Sequence, residues 1–379
     1  MKLLFLNTSG AWGGQEMFSG ELFVMLCKAG VDVRFVLRPG YPLEQFVRDA
    51  GHGDRILLAE PSRKYFDRAL DRLLRDEYRS GRVELVHTFV SAEISYVTLA
   101  RRFLGRNKPR VVHHLQMLPG HARKDPFHRL AYAGLDRVVC ITQQIAERVR
   151  RLWPVPADRV QTIYYGLDLS HLDVAEERVA AARERWSLAP AGRRIGLVGQ
   201  ICAIKGQLEV FRAFRAIAAD FDDVTLVFAG TPVHTEEAYY EQLLSEIDQS
   251  GLADRVQLLG FCDEVPALIR NFDVFALGSH HEPFGRVVIE SMAAGCLTIG
   301  TNAGGVPEII DDGVDGLLYE ARDVTGLESG LRRALTMSRE EREQLRATAT
   351  EKVSSRFGMD RFMTEILDLY RTVIGEGRK

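Results

Sequence analysis

Apolar residues along this chain gather in short runs, each followed by a longer stretch with helical spacing. In the front half the runs that predict strands are residues 2–6, 31–37, 84–88, 110–115, 137–142 and 160–164. In the back half they are 194–198, 224–229, 255–259, 273–277, 296–299 and 316–318. They are apolar on both faces instead of alternating, as parallel strands covered by helices on either side must be. The pattern predicts an α/β protein with two Rossmann-like, doubly wound parallel sheets. At 379 residues the chain exceeds the size at which one core stops growing, so two domains are expected, 1–170 and 171–359. Between residues 170 and 190 a charged helical segment (Glu176, Glu177, Arg178, Arg183, Glu184, Arg185) leads to a loop at Pro190 and Gly192. From Ser338 onward two helices are expected; Ser338 and Glu341 have capping-box spacing, and the last helix covers 360–374. Two such units would face each other across a deep cleft, with ligands beyond the carboxyl ends of the strands.

Charge changes this picture in one respect. Lys and Arg outnumber Asp and Glu 26 to 18 over residues 1–170, whereas Asp and Glu lead 34 to 23 over the rest. The basic front half points to an anionic partner, either a phospholipid surface or a phosphorylated acceptor, rather than to nucleic acid. Arg101, Arg102, Arg106, Lys108 and Arg110, interrupted by Phe103 and Leu104, would make a basic amphipathic patch for anionic lipid; a solvated helix end would look the same. Five scattered cysteines (Cys27, Cys140, Cys202, Cys262, Cys296) without Cys-x-x-Cys spacing suggest buried free thiols. No run approaches the ~20 apolar residues of a membrane span, and the first residues are too short an apolar run for a signal peptide. A cytoplasmic protein, peripheral on the inner membrane face at most, is the expectation.

Four segments carry candidate chemistry. The first is Gly278-Ser-His-His-Glu282-Pro-Phe284-Gly285-Arg286-Val287-Val-Ile-Glu290-Ser-Met-Ala-Ala-Gly295, in which a strand ends and a helix over 285–294 begins. The unpaired N–H groups and dipole of such a helix start stabilise a diphosphate. Glu290, one and a half turns in, suits the two hydroxyls of a ribose, and Glu282 can reach the sugar on the second phosphate. Taken alone, two glutamates are more often solvated surface groups, but the apolar residues around Glu290 require it to have a partner. The second segment is Val198-Gly199-Gln200-Ile-Cys-Ala-Ile-Lys205-Gly206, where Lys205 can neutralise a phosphate. It is neither a Walker loop nor Gly-x-Gly-x-x-Gly. The third is Asn7-Thr-Ser-Gly10-Ala-Trp-Gly13-Gly14-Gln15-Glu16, whose glycines offer backbone donors, as would any strand–helix turn. The fourth is Asn302-Ala-Gly304-Gly305-Val-Pro307-Glu308 with the Asp-Gly turns at 312–313 and 315–316. His87, His113, His114, His280 and His281 lie at strand ends without metal-ligand spacing, so no metal site and no cofactor is expected.

Assembled, these residues resemble the retaining glycosyltransferases of the GT-B fold, specifically glycosyltransferase family 4, over essentially the whole chain. Glu282-Pro-Phe-Gly-x4-Glu290, Thr301-Asn-Ala-Gly-Gly-Val-Pro-Glu308 and Asp312-Gly-x-x-Gly-Leu-Leu318 carry the resemblance most specifically. Gly13-Gly14, Lys205-Gly206 and Tyr165-Gly-Leu-Asp168 support it. The resemblance implies metal-independent transfer of a hexose-type sugar, with retention, from a nucleotide-diphosphate sugar to a saccharide or lipid-linked saccharide. Bacterial cell-envelope polysaccharide or glycolipid synthesis is the implied setting. Residues 1–170 would bind the acceptor and 171–359 the donor, and a helix over 360–379 would return to the first domain. Glu290 would hold the ribose, Glu282 the donor sugar and Lys205 the diphosphate. The Phe284-Gly285-Arg286-Val287 backbone would face the donor, and Gly13 and Gly14 would approach it from the other domain. The chain departs from the family twice: Gln200 stands where an arginine is usual, leaving Arg286 to substitute, and Gln116 where a histidine is usual. His114 or Gln116 is then the candidate facing the sugar. A nucleotide-sugar epimerase or hydrolase, and a non-catalytic sugar-nucleotide-binding subunit, are the alternatives. A two-carboxylate glycosidase is disfavoured because Glu282 and Glu290 share one segment.

Overall fold

The computed structural model describes residues 1–102, 104–105, 108–169, 174–188 and 192–376. Phe103 and Arg106 of the basic stretch, and part of the expected join between domains, lie outside the described residues. In chain order the first elements are β1 (Lys2–Asn7), α1 (Gly14–Lys28), β2 (Asp32–Leu37), α2 (Pro42–Asp49), β3 (Ile56–Leu58), α3 (Arg68–Arg79), β4 (Leu85–Thr88), α4 (Glu93–Ala100), β5 (Arg110–Leu115), α5 (Pro126–Tyr132), β6 (Arg137–Cys140), α6 (Gln143–Leu152) and β7 (Val160–Thr162). There follow α7 (Glu176–Arg185), β8 (Arg193–Val198), α8 (Gln207–Ile217), β9 (Val224–Ala229), α9 (Glu237–Gln249), β10 (Val256–Leu258), α10 (Val265–Ile269), β11 (Val274–Ala276), α11 (Arg286–Ala293), β12 (Leu297–Thr301), β13 (Leu317–Tyr319), α12 (Val324–Thr336), α13 (Arg339–Phe357) and α14 (Met359–Gly375). The chain divides into two compact units, one of residues 1–164 with 363–379 and one of residues 165–362.

Each unit is built on one parallel sheet, ordered β3-β2-β1-β4-β5-β6-β7 in the first and β10-β9-β8-β11-β12-β13 in the second. The order reverses between β1 and β4, and again between β8 and β11. At such a switch point neighbouring loops diverge and leave a crevice beyond the carboxyl ends of the strands. β3 was not foreseen from the apolar pattern. It is a three-residue edge strand, and its residues are half-buried or exposed, so it lacks the two-sided apolar signature of its neighbours.

The first unit's core is aromatic. Phe5 on β1 is fully buried, with ring centroids of Phe35 at 5.6 Å, Phe89 at 5.2 Å and His87 at 5.2 Å. Tyr370 of α14 is fully buried in the same unit and its hydroxyl lies 2.6 Å from Nδ1 of His87. The second unit centres on the aliphatic and aromatic faces of β8, β9, β11 and β12 with α8 and α12. All five cysteines are free, and burial pushes the Cys140 and Cys296 thiols up to about 12, as inert core sulfurs. Among the described residues no helix is long and apolar enough to cross a membrane.

Two cations of the basic stretch at 101–110 are not free. Arg101 is buried and donates from Nη1 to Asp136 Oδ2 at 2.8 Å; Arg110 reaches Asp136 Oδ1 at 2.7 Å. The Val111 N–H donates to the same carboxylate at 2.8 Å. Burial pushes the Asp136 carboxyl up, but Arg101 and these other donors outweigh it and hold it below the usual range. Two of the five cations therefore serve the fold.

Replacing Phe5 with Ala is expected to destabilise the protein by about 3–5 kcal/mol, because the cavity opens inside a closed aromatic cluster. The half-exposed Phe66→Ala control should cost under about 0.5 kcal/mol. Urea denaturation of both variants checks the contrast.

Candidate functional site

At the switch point of the second unit, the loop after β8 and the loop after β11 are locked together by backbone contact. Gly206 has φ +67°, and a Cβ there would overlap the carbonyl of Gly278; a Cβ on Gly278 would in turn overlap the carbonyl of Gly206. Only glycine satisfies both demands at once. The His280 N–H donates to Ile204 O at 2.8 Å, and His280 Nε2 lies 2.9 Å from Oε1 of Glu209 on α8. Beneath the same loop, Gly305 N donates to Glu282 O at 2.8 Å, while a Cβ on Gly304 (φ +64°) would strike that carbonyl. The glycine pair at 304–305 is thus the floor on which Glu282 rests.

This clamp brings together two of the residues singled out from sequence. Lys205 Nζ donates to Glu282 Oε2 at 2.6 Å, and Ser279 Oγ reaches the same oxygen at 3.3 Å. An ammonium has three donors, so two remain directed elsewhere. Gln200 lies in the Lys205 loop with its side chain exposed, and its carbonyl accepts from Nε2 of Gln207 at 2.8 Å. Gln207, fully buried, and Ser279, also fully buried, fix these loops and were not anticipated. Their polar side chains read as ordinary loop and helix-start residues, and only the closeness of the two loops gives them work.

Gly285 (φ +109°) turns the chain into α11 as its N-cap. The helix is shorter than its apolar pattern predicts, since Gly285 cannot itself be helical at that φ. Phe284 is 3% exposed and wedged against Tyr165 (5.1 Å) and Phe357 (5.9 Å), so it can offer a ligand only its backbone. Arg286 opens α11, Val287 follows half-buried, and Glu290 lies on the next turn, also half-buried. Val288, Ile289 and Met292 anchor the opposite face in the core.

In the first unit Gly13 is the N-cap of α1, and Gly14, its first residue, has open space around a would-be Cβ. The loop after β1 is tied to the loop after β4 by Glu93, a buried carboxyl that sequence reasoning passed over. It accepts from Thr8 N at 2.6 Å, Thr8 Oγ1 at 3.0 Å and Val90 N at 3.2 Å. Burial dominates these hydrogen bonds and pushes its pKa up to about 8. His87, His113 and His114 are fully buried. The His114 ring lies tilted 4.7 Å from Phe18 and stacks 5.5 Å from His87, and burial drives its pKa down to about 3. His113 points to the other face, 2.9 Å from Thr88 Oγ1. Gln116, just past the end of β5, is 5% exposed and its Nε2 has no partner among the described residues.

Two parallel α/β units of this kind have the GT-B glycosyltransferase fold. Residues 12–171 match the model described as Glycosyltransferase Family 4 and residues 180–352 that described as Glycosyl transferases group 1; the chain belongs to this family. Similar curated proteins include the D-inositol 3-phosphate glycosyltransferase of Salinispora tropica, 27% identical over 88% of this chain and 66% of that protein. That of Mycolicibacterium gilvum is 31% identical over 50% of this chain and 42% of its own length. The chain thus spans less than two thirds of the length of these relatives. Among solved structures, Anabaena Alr3699/HepE in complex with UDP has a TM-score of 0.83 at 21% identity, covering 98% of this chain and 100% of that one. A glycosyltransferase from Rickettsia africae has a TM-score of 0.87 at 17% identity, with 98% of each chain covered. These likenesses establish the fold.

Gly206→Ala is expected to lower the melting temperature more than Gly251→Ala, which shares a positive φ (+71°) but meets nothing within 4 Å. Thermal melts of the two variants isolate the interlock from backbone strain. The histidines give a second expectation. Burial holds all three folded pKa values below the unfolded value of about 6.5, so their contribution is full above pH ~6.5 and is lost as pH falls, toward about 3 for His113 and His114. Glu93 acts oppositely: its contribution is full below pH ~4.3 and lost as pH rises through about 8. With three groups against one, melting should fall from pH 7 to pH 5, and His114→Phe should shrink that fall in circular-dichroism melts.

Proposed function

We propose that this protein transfers a hexose-type sugar from a nucleotide-diphosphate sugar, with retention and without a metal, to a saccharide or lipid-linked saccharide acceptor. Cell-envelope polysaccharide or glycolipid synthesis, on the cytoplasmic side of the membrane, is the proposed setting. The observation that carries the reading is the Lys205–Glu282 pair, held by the Gly206–Gly278 interlock beside the start of α11.

When the bond from the anomeric carbon to the diphosphate breaks, negative charge collects on the leaving phosphate. Lys205 and the N-terminal amides of α11 meet that charge, the work a divalent cation does elsewhere. Arg286, first in α11, adds a second cation in place of the arginine that Gln200 does not provide. Glu282 holds hydroxyls of the donor sugar, and Glu290, one turn further in, accepts from the ribose. The acceptor hydroxyl attacks the same face from which the diphosphate leaves, and its proton passes to the departing phosphate oxygen. His114 and Gln116, at the end of β5 and both buried, are the candidates for contact with the sugar. A UDP-sugar is the first donor to try, since Alr3699/HepE, alike in fold, was solved with UDP and with UDP-glucose.

A thermal-shift screen against UDP-, GDP- and ADP-sugars should raise the melting temperature for one nucleotide class. With that donor, Lys205→Ala should lower turnover by roughly 10²–10³-fold, and Arg286→Ala by a smaller factor. Nucleotide release at the same rate with and without acceptors would favour a hydrolase instead. Binding without turnover on any acceptor would favour a non-catalytic subunit.

A further inference from the structure

A hollow of about 610 Å³ opens on the surface of the first unit, between the loop after β1 and the loop after β2 with the first turns of α2. It lies on the side of β1 away from β4, and so apart from the switch point. Its volume falls in the ~300–1,000 Å³ range of small-molecule sites. Trp12, Tyr41 and Phe46 give it aromatic walls, and Glu44, Gln45 and Asp49 give it polar ones. No Lys, Arg or His stands among the described residues that line it.

The aromatic walls are held from behind. The Tyr41 ring lies on the backbone of Gly10, where a Cβ would come within 2.8 Å of it, and the Arg38 guanidinium covers the ring 4.6 Å from its centroid. Trp12 is 45% exposed, and its ring centroid lies 5.9 Å from that of Phe46. An indole kept half in water forgoes the hydrophobic stabilisation of burial, and a ligand that covered it would recover that stabilisation.

The polar wall is built of acceptors. Glu44 takes the Gly40 N–H at Oε2 (2.7 Å) and Arg48 Nε at Oε1 (2.8 Å); these, the Gly40 N–H foremost, hold its carboxyl below the usual range. Gln45 Nε2 donates to Asp49 Oδ1 at 2.6 Å, which leaves Asp49 Oδ2 free among the described residues. Each carboxylate oxygen accepts more than one hydrogen bond, so Glu44 is not used up. An anion finds no cation in this lining. An organic cation gains little, because Arg38 already covers Tyr41 and Arg48 offsets Glu44. A pyranose suits both walls: its C–H face packs on an aromatic ring, and its hydroxyls donate to carboxylate and amide oxygens at the ring's edge.

We propose that this hollow binds a neutral pyranose unit of a saccharide, with its C–H face on Trp12 and its hydroxyls on Glu44, Gln45 and Asp49. Its use, gripping a unit of a saccharide chain away from the reacting end, rests on the transferase reading; the site itself stands on its own geometry.

Titration of the whole protein with maltose and with the methyl α-glycosides of glucose, mannose, galactose and N-acetylglucosamine tests this, followed by tryptophan emission and saturation-transfer NMR. Trp12 is the most exposed of the three tryptophans, so binding of at least one of these sugars should shift the emission. Trp12→Ala should weaken that binding about tenfold, and Trp12→Phe should restore most of it. Asp49→Ala should weaken it about 3- to 10-fold. Phe66→Ala, which removes an exposed ring outside the hollow, should leave it unchanged. No binding of any of these sugars, binding unchanged in Trp12→Ala, or choline bound in preference to the sugars overturns the site. Sugar binding by a wild type that takes no nucleotide sugar supports the site and sinks the transferase reading alone.

Discussion

The second unit's site depends on a contact between two backbones, Gly206 against Gly278. Were either residue to carry a Cβ, the loops after β8 and β11 would have to separate. Their closeness puts Lys205 Nζ 2.6 Å from Glu282, although 77 residues separate the two along the chain. The glycines at 304 and 305 press on Glu282 from below, and the Phe284 ring fastens the far end of the loop to Tyr165 and Phe357. Three loops are thereby fixed at the point where the strand order reverses. A charged pair held this way is preorganised, which is what the proposed stabilisation of a leaving group would require.

The first unit uses a different device at its own switch point. There a buried carboxyl, Glu93, gathers donors from the loops after β1 and β4, and an aromatic core closes over His87 and His114. Hydrogen bonds to Glu93 favour its charged form and burial opposes it; burial prevails. The two units share a fold but place their charge differently: the second holds a cation–carboxylate pair at its strand ends, and the first keeps its carboxyl inside.

Much of this was legible in the residues. Parallel strands buried on both faces leave apolar runs that cannot be mistaken for amphipathic ones, so twelve of the thirteen strands among the described residues were anticipated, the half-exposed edge strand β3 being the exception. The start of α11 was legible because Gly285 stands between a turn-like loop and an apolar helical face. The contact between Lys205 and Glu282 was not legible, since nothing local specifies that two loops touch. Gln207 and Ser279 were missed for the same reason. The basic run at 101–110 was only partly legible, because composition does not reveal that Arg101 and Arg110 converge on Asp136, 26 residues beyond the nearer of them.

The central claim is that Lys205 and Glu282 act as one unit in holding a nucleotide sugar. A double-mutant cycle of Lys205→Ala and Glu282→Gln, read as donor affinity by calorimetry, tests it most directly. The account expects each single change to weaken binding and the double variant to be clearly less impaired than the product of the two effects, as for residues that share a ligand and a contact. Strictly multiplicative effects, or single variants that bind the donor as the wild type does, would contradict it.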